Sequence, residues 1–468
     1  YGGGAIYVGG NTELSIANNV SGEVLIEDNY ATYGGAIYFA STSGNKSVIN
    51  GSNVSIINNN QITTNLGTTY SLSEGGAIYH TTGNLDVLVC TISGNNANRG
   101  GAISTRNGNL VIGGAIIDSN KATYGGAVYA DSNAKINING TTEISNNQAN
   151  VGGGLYLATR AENEISGATF FGNNANVSTN VDNQWTGGAI YLDDAYLTLS
   201  SNNVNIDGNK SYYGGGIYAK NSSVGFDGTL IKNNQATNGA GVFVIGNTSN
   251  VSFVNALITN NNALSQGGGV YVTNSANVNI GGGTFLGEEG NGNSAEYGGG
   301  LYNEGGIVLV TGASAKLANV EGNIANYGAG LLNNSGEMKL SYVTISHNET
   351  NSNIEDNYGG GVAILSGILD VSVGSTFANN KAYQGAAIYI TRLNGRNQIA
   401  TIKDAVIISN QSEKGAIFVA GVYTENADGT QNITDGGRLT IESGLIGLTE
   451  DGMFANMNYN GTENGYGL

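Results

Sequence analysis

Apolar residues along this chain come in short alternating bursts, set apart by glycine, asparagine, serine and threonine, and the bursts repeat from one end to the other. The most compact unit runs from Gly100 to Tyr124. It reads Gly-Gly-Ala-Ile-Ser, a turn Thr-Arg-Asn-Gly, then Asn109-Leu-Val-Ile, a Gly-Gly corner, then Ala115-Ile-Ile-Asp-Ser-Asn120. Alternation with period two over a few residues predicts half-buried strands, and no stretch carries a sustained helical period. Three short strands and three corners thus fill about 25 residues. Such a unit is too thin to bury a face alone, so copies must stack into a continuous core. The pattern predicts an all-β fold: a single right-handed parallel β-helix, a solenoid of about fifteen coils with three short strands each, spanning 1–468 as one continuous domain. The right hand follows from the near-universal sense of crossovers between parallel strands.

The organising phrase is Asn120-Lys-Ala-Thr-Tyr-Gly125-Gly126-Ala127-Val128-Tyr129. The glycine pair is expected to supply positive φ and to let the backbone turn sharply beside its stacked neighbour. The aliphatic that follows (Ile37, Val128, Ile190 and their counterparts) should point inward and stack on its copy one coil away. The aromatic after it (Tyr38, Tyr129, Tyr191) alternates to the other face and should form an outward ladder of offset rings. The asparagine recurs five positions before the glycines at Asn29, Asn95, Asn120, Asn147, Asn209, Asn234, Asn262, Asn293, Asn323, Asn380 and Asn410. Asparagine tolerates the left-handed conformation that ends a strand, and stacked amides can hydrogen-bond along an axis.

A second phrase, a large apolar residue followed three positions later by asparagine, precedes most copies: Ile26-Glu-Asp-Asn29, Ile117-Asp-Ser-Asn120, Phe170-Phe-Gly-Asn173, Ile345-Ser-His-Asn348. Paired Gly-Gly-Ala-Ile and Phe-x-x-Asn repeats resemble those of the polymorphic outer membrane proteins best known from chlamydiae, although most copies here carry isoleucine in place of phenylalanine. The resemblance implies a β-helical autotransporter passenger displayed outside the cell, at its surface, with an adhesin-like role.

Composition sharpens this picture. Glycine numbers 76 and proline is absent, and a chain that is strand almost everywhere has little use for a residue that cannot donate to a ladder. Lys and Arg total 17 against 35 Asp and Glu, a net charge of −18, which argues against nucleic acid or anionic lipid as a partner, since both need basic clusters. No apolar run approaches the roughly 20 residues of a membrane helix. The single cysteine, Cys90, lies in an apolar strand and reads as a buried, inert thiol.

Insertions widen the corner between the asparagine and the glycine pair at 61–74, 174–186 and 349–358, so stacking should align them on one edge. Repeat proteins often carry binding loops on one face, and Trp185, the lone tryptophan, is the candidate contact for a surface receptor or glycan. Candidate chemistry is sparse. His80 and His347 are isolated in the sequence and read as surface residues, so no histidine metal cluster or triad assembles locally. Asp193-Asp194 resembles the paired carboxylates of β-helical polysaccharide hydrolases. Acidic loops such as Glu288-Glu289 have calcium-type oxygens, but the Gly-Gly-x-Gly-x-Asp calcium repeat is missing, and no cofactor is expected. The reading is a non-enzymatic structural or adhesive surface protein, with a carbohydrate-active β-helix enzyme as the alternative. The chain opens on a glycine half-phrase and closes on 453–468, which resembles the missing first half, so the expectation is either end-to-end self-association into a fibre or a piece cut from a longer repeat array.

Overall fold

The computed structural model describes residues 2–17, 22–42, 44, 46–60, 73–175, 185–201, 203–351, 357–391, 398–425 and 431–447. The described chain is all-β, a parallel β-solenoid of about 13 turns, close to the fifteen expected. Two compact units, Tyr1–Ala236 and Thr237–Leu468, are each built this way. No described helix is long and apolar enough to cross a membrane.

Each coil follows the sequence pattern. A first strand starts at the aliphatic after the glycines, a second lies beyond a short corner, and a third carries the apolar-x-x-Asn phrase. Ile78–Thr82, Asn84–Leu88 and Thr91–Ser93 are one such set, pairing in parallel with Ile103–Thr105, Asn109–Gly113 and Ile116–Asp118. Register is held residue for residue. In the first unit the inward row runs Ile6, Ile37, Ile78, Ile103, Val128, Leu155, Ile190, Ile217. In the second it runs Val242, Val270, Leu301, Leu331, Val362, Ile388, Ile417. Apart from half-buried Ile6, all are buried, and each fully buried aliphatic contributes about 1.5–3 kcal/mol by leaving water.

The two corner glycines answer different constraints. Gly125 has φ of +65°, the left-handed region, whereas Gly126 is needed because a Cβ there would lie 2.1 Å from the Gly153 carbonyl oxygen of the next coil. The asparagine's expected role needs correction. Its own backbone is not left-handed; the residue before it is, as at Asp28, Asn58, Ser119, Asn146, Asn233, Asn260, His347, Asn379 and Ser409, with φ between 52° and 56°. The asparagine instead turns its side chain inward as a ladder.

That ladder runs Asn29, Asn59, Asn95, Asn120, Asn147, Asn173, Asn209, Asn234 in the first unit, each Nδ2 donating to the next Oδ1 at 2.9–3.0 Å. Asn261, Asn293, Asn323, Asn348, Asn380 and Asn410 repeat it in the second unit over the same distances. Asn120 Nδ2 also donates to the Ile92 and Asp118 carbonyls, and its Oδ1 accepts from both the backbone and side-chain nitrogen of Asn95. One side chain therefore satisfies buried polar groups on three consecutive coils, as a buried amide requires. Asn262, expected in this column, is exposed; Asn261 occupies the place, because the spacing to Gly267 is six residues there.

The antiparallel pair Gly421–Glu425 and Gln431–Gly436 interrupts a late coil between its first and second strands. Insertion is therefore not confined to the asparagine–glycine corner. Residues 61–72, 176–184, 352–356 and 453–468, on which the expected loops and the end-to-end expectation rest, lie outside the described residues.

Candidate functional site

The two residues before each ladder asparagine form a corner of which part reaches the surface, and in the second unit these positions bring together groups of complementary chemistry. Glu321 sits two places before Asn323, and His347 one place before Asn348. The preceding coil has a widened corner: Leu286 fills the apolar position, but Gly287 to Gly292 intervene before Asn293. That excursion carries Glu289 over the neighbouring coil. It depends on Gly322, where a Cβ would come within 2.2 Å of the Glu288 carbonyl oxygen.

As a result Glu289, Glu321 and His347 each present one ligand-type atom, all within 4.8 Å of one another. His347 Nδ1 lies 3.3 Å from Glu321 Oε1, and its Nε2 lies 3.2 Å from Asn379 Nδ2. Glu289 and His347 border a polar groove of about 530 Å³ whose lining also includes Ser294, Ile324 and the Lys381–Glu349 ion pair at 2.6 Å. No histidine cluster assembles locally in the sequence, yet stacking sets His347 beside two carboxylates from other coils. Residues far apart in sequence become neighbours once coils stack, and lining up coils on apolar-x-x-Asn would have shown Glu321 and His347 on adjacent corners.

The aromatic row is the second candidate surface. Its rings lie with centroids 4.5–5.3 Å apart, from Tyr7 to Tyr38 to Tyr79, from Tyr129 through Tyr156 and Tyr191 to Tyr218, and from Phe243 through Tyr271 to Tyr302. It lies on the outer face as expected, but it is not open: Tyr79, Tyr129, Tyr191, Tyr271, Tyr302 and Tyr389 are all buried. Cover comes partly from tyrosines directly before the glycine pair, Tyr33 against Tyr79 and Tyr124 against Tyr156. These were visible in the sequence but had no assigned role. Burial, reinforced by Asp193, pushes the Tyr156 and Tyr218 hydroxyls up to about 12. Tyr129 and Tyr191 are raised by burial and by Asp131 and Asp193, which their hydroxyls reach at 3.1 and 3.3 Å.

Ser104 leaves a gap in the ladder that charged groups close. Glu74 Oε1 accepts from Arg99 at 3.2 Å and Arg106 at 2.5 Å, while Oε2 accepts from Arg106 Nε at 3.0 Å and Ser104 Oγ at 3.3 Å. The Arg99 guanidinium lies 5.4 Å from the Tyr129 ring centre, a cation–π distance.

Asp193 and Asp194 do not act as a pair. Asp193 is bound by Lys220 at 2.9 Å, whereas Asp194, left-handed at φ 53°, takes Arg160 in two directions at 2.6 and 2.9 Å. Each carboxylate is engaged by its own cation. His80 is not a surface residue. It is fully buried in an inward row between Phe39 and Thr105, with Nδ1 3.0 Å from Thr105 Oγ1. Burial lowers its pKa to about 4, and room for its ring exists because residue 108 is glycine, where a Cβ would lie 2.2 Å from Cε1. Cys90 is buried as expected, its thiol pushed up to about 12 by burial. Trp185 is half-buried, and its carbonyl accepts from Tyr213 N at 3.1 Å. Comparisons with protein families, curated proteins and solved structures found no match for this chain.

Proposed function

We propose that this chain is a non-enzymatic structural or adhesive protein of the extracellular cell surface, a stiff solenoid that carries recognition loops. One observation carries the reading: the repeated side chains are consumed by contact with their own copies. The asparagines saturate one another along each unit, the tyrosines stack face to face, and the second corner glycine exists to admit the next coil. Motifs spent on axial stacking make a scaffold whose period can be extended without new chemistry. The resemblance of the paired repeats to those of surface passengers points the same way, and so does the acidic surface charge.

The enzymatic alternative requires two carboxylates that share one sugar, whereas Asp193 and Asp194 are each held by a separate cation. Incubation of the protein with a panel of neutral and acidic polysaccharides should release no new reducing ends and no unsaturated products. Turnover that disappears in the Asp193→Asn, Asp194→Asn double variant would replace this reading with the hydrolase one.

A further inference from the structure

We propose that Glu289, Glu321 and His347 form a binding site for a divalent cation of the zinc class, clamping three successive coils of the second unit at one corner. The inference is independent of the functional reading above. Three observations converge on it. The donor atoms, one imidazole nitrogen and two carboxylate oxygens, already lie within 4.8 Å of one another. A tetrahedral zinc with bonds of about 2.0–2.2 Å places neighbouring donors about 3.4 Å apart, so small rotations of the exposed Glu289 and half-buried Glu321 side chains complete the set. Charge is the second. Among the described residues no lysine or arginine pairs with Glu289 or Glu321, and His347 is the partner of Glu321. A dication with two carboxylates and a neutral imidazole sums to zero. The third is the groove itself, lined by Glu289 and His347, through which water can reach a fourth coordination position.

The imidazole decides the class of ion. Calcium and magnesium take oxygen donors in larger shells, whereas a His-carboxylate set with an open position suits zinc and its neighbours. On binding, the neutral ring takes the tautomer with its single proton on Nε2, and Nδ1, which faces Glu321, donates its lone pair to the metal. Nε2 gives that proton in a hydrogen bond to Asn379. The Asn379 amide, now presenting Nδ2 at 3.2 Å, turns over to offer Oδ1. A second-shell acceptor of this kind fixes the tautomer and orients the ring. His347 occupies the left-handed corner position filled by Asn, Asp, Ser or Gly on the other coils, which aims the ring away from the core.

The test is calorimetric titration of zinc into tag-free full chain after removal of metals with a chelator. Only two histidines exist, and His80 is buried in the other unit, so histidine dependence reports on this site. The parent should bind one zinc per chain at micromolar or tighter affinity, and a tenfold excess of calcium should not displace it. His347→Asn keeps the left-handed preference, as Asn260 and Asn379 do, and should bind more than about 100-fold more weakly, with Asn379→Ala weakened by about tenfold. Unchanged melting of both variants without metal would establish that the fold is intact. The proposal is overturned if the parent takes up no zinc at tens of micromolar, if His347→Asn binds as the parent does, or if calcium competes equally.

Discussion

Asn261 and Asn262 are the same residue type one position apart, yet the first donates twice to Asn293 Oδ1 from inside the core and the second faces solvent. The apolar-x-x-Asn rule places Ile258 three residues before Asn261 and so selects the correct one, whereas counting back from the glycine pair selects the wrong one. Chain spacing to the glycines varies with the corner; spacing to the third strand stays at three residues except where Gly287 to Gly292 intervene before Asn293. Asn59 was hidden for the same reason, since the 61–74 insertion separates it from Gly75. Asn261→Ala should lower unfolding free energy by about 1–3 kcal/mol, because the buried Asn293 Oδ1 loses the side-chain donor and keeps only the backbone one. Asn262→Ala should stay within about 0.5 kcal/mol of the parent. Urea denaturation of the two variants checks both.

His80 makes a prediction of a different sort. Burial holds its pKa at about 4, below the ordinary 6.5 of a free imidazole, so the unfolded chain binds the extra proton in that window. Stability contributed by the neutral ring is complete above pH 6.5 and is lost as pH falls toward 4. At about 1.4 kcal/mol per unit the loss amounts to about 3 kcal/mol. Comparing the pH dependence of unfolding for parent and His80→Gln isolates it: the variant should show a flatter profile between pH 4 and 6.5.

At the scale of strands and ladders, interruptions are mended by neighbours from another column. Where Leu332 and Ala363 replace the tyrosine, Tyr327 and Tyr358 from the position before the glycines take over, and Tyr358 then stacks on Tyr389 at 4.0 Å. At Ser104 the substitute is the Glu74–Arg99–Arg106 cluster. The regular ladder was legible from the repeated Ile-Tyr pair; its repairs were not, since they depend on which side chains from adjacent corners reach the gap. Glu74→Gln removes the charge that holds both guanidiniums, with a Glu74 side chain only 3% exposed. We expect a loss of about 2 kcal/mol, below the figure for a fully buried pair because the arginines are 29% and 32% exposed. Thermal melts of Glu74→Gln beside the exposed-pair variant Lys46→Gln should separate the two, the latter changing little.

For the molecule as a whole, the all-β solenoid, the three strands per coil and the inward aliphatic row were readable because each repeats a local pattern dozens of residues long. The cluster at Glu289, Glu321 and His347 was not, because its members belong to three coils of different length and meet only through stacking. The same logic of axial contact unites the account: amides, rings and glycine corners are arranged for the next coil rather than for a ligand. Side-chain amide exchange measures that claim directly. In a proton–nitrogen correlation spectrum recorded after transfer to deuterium oxide, the Nδ2 groups of ladder residues such as Asn120, Asn147, Asn323 and Asn348 should persist long after that of exposed Asn262 has vanished. Loss of all asparagine side-chain signals together, within the time of the first spectrum, would contradict the ladder and the stacked fold built on it.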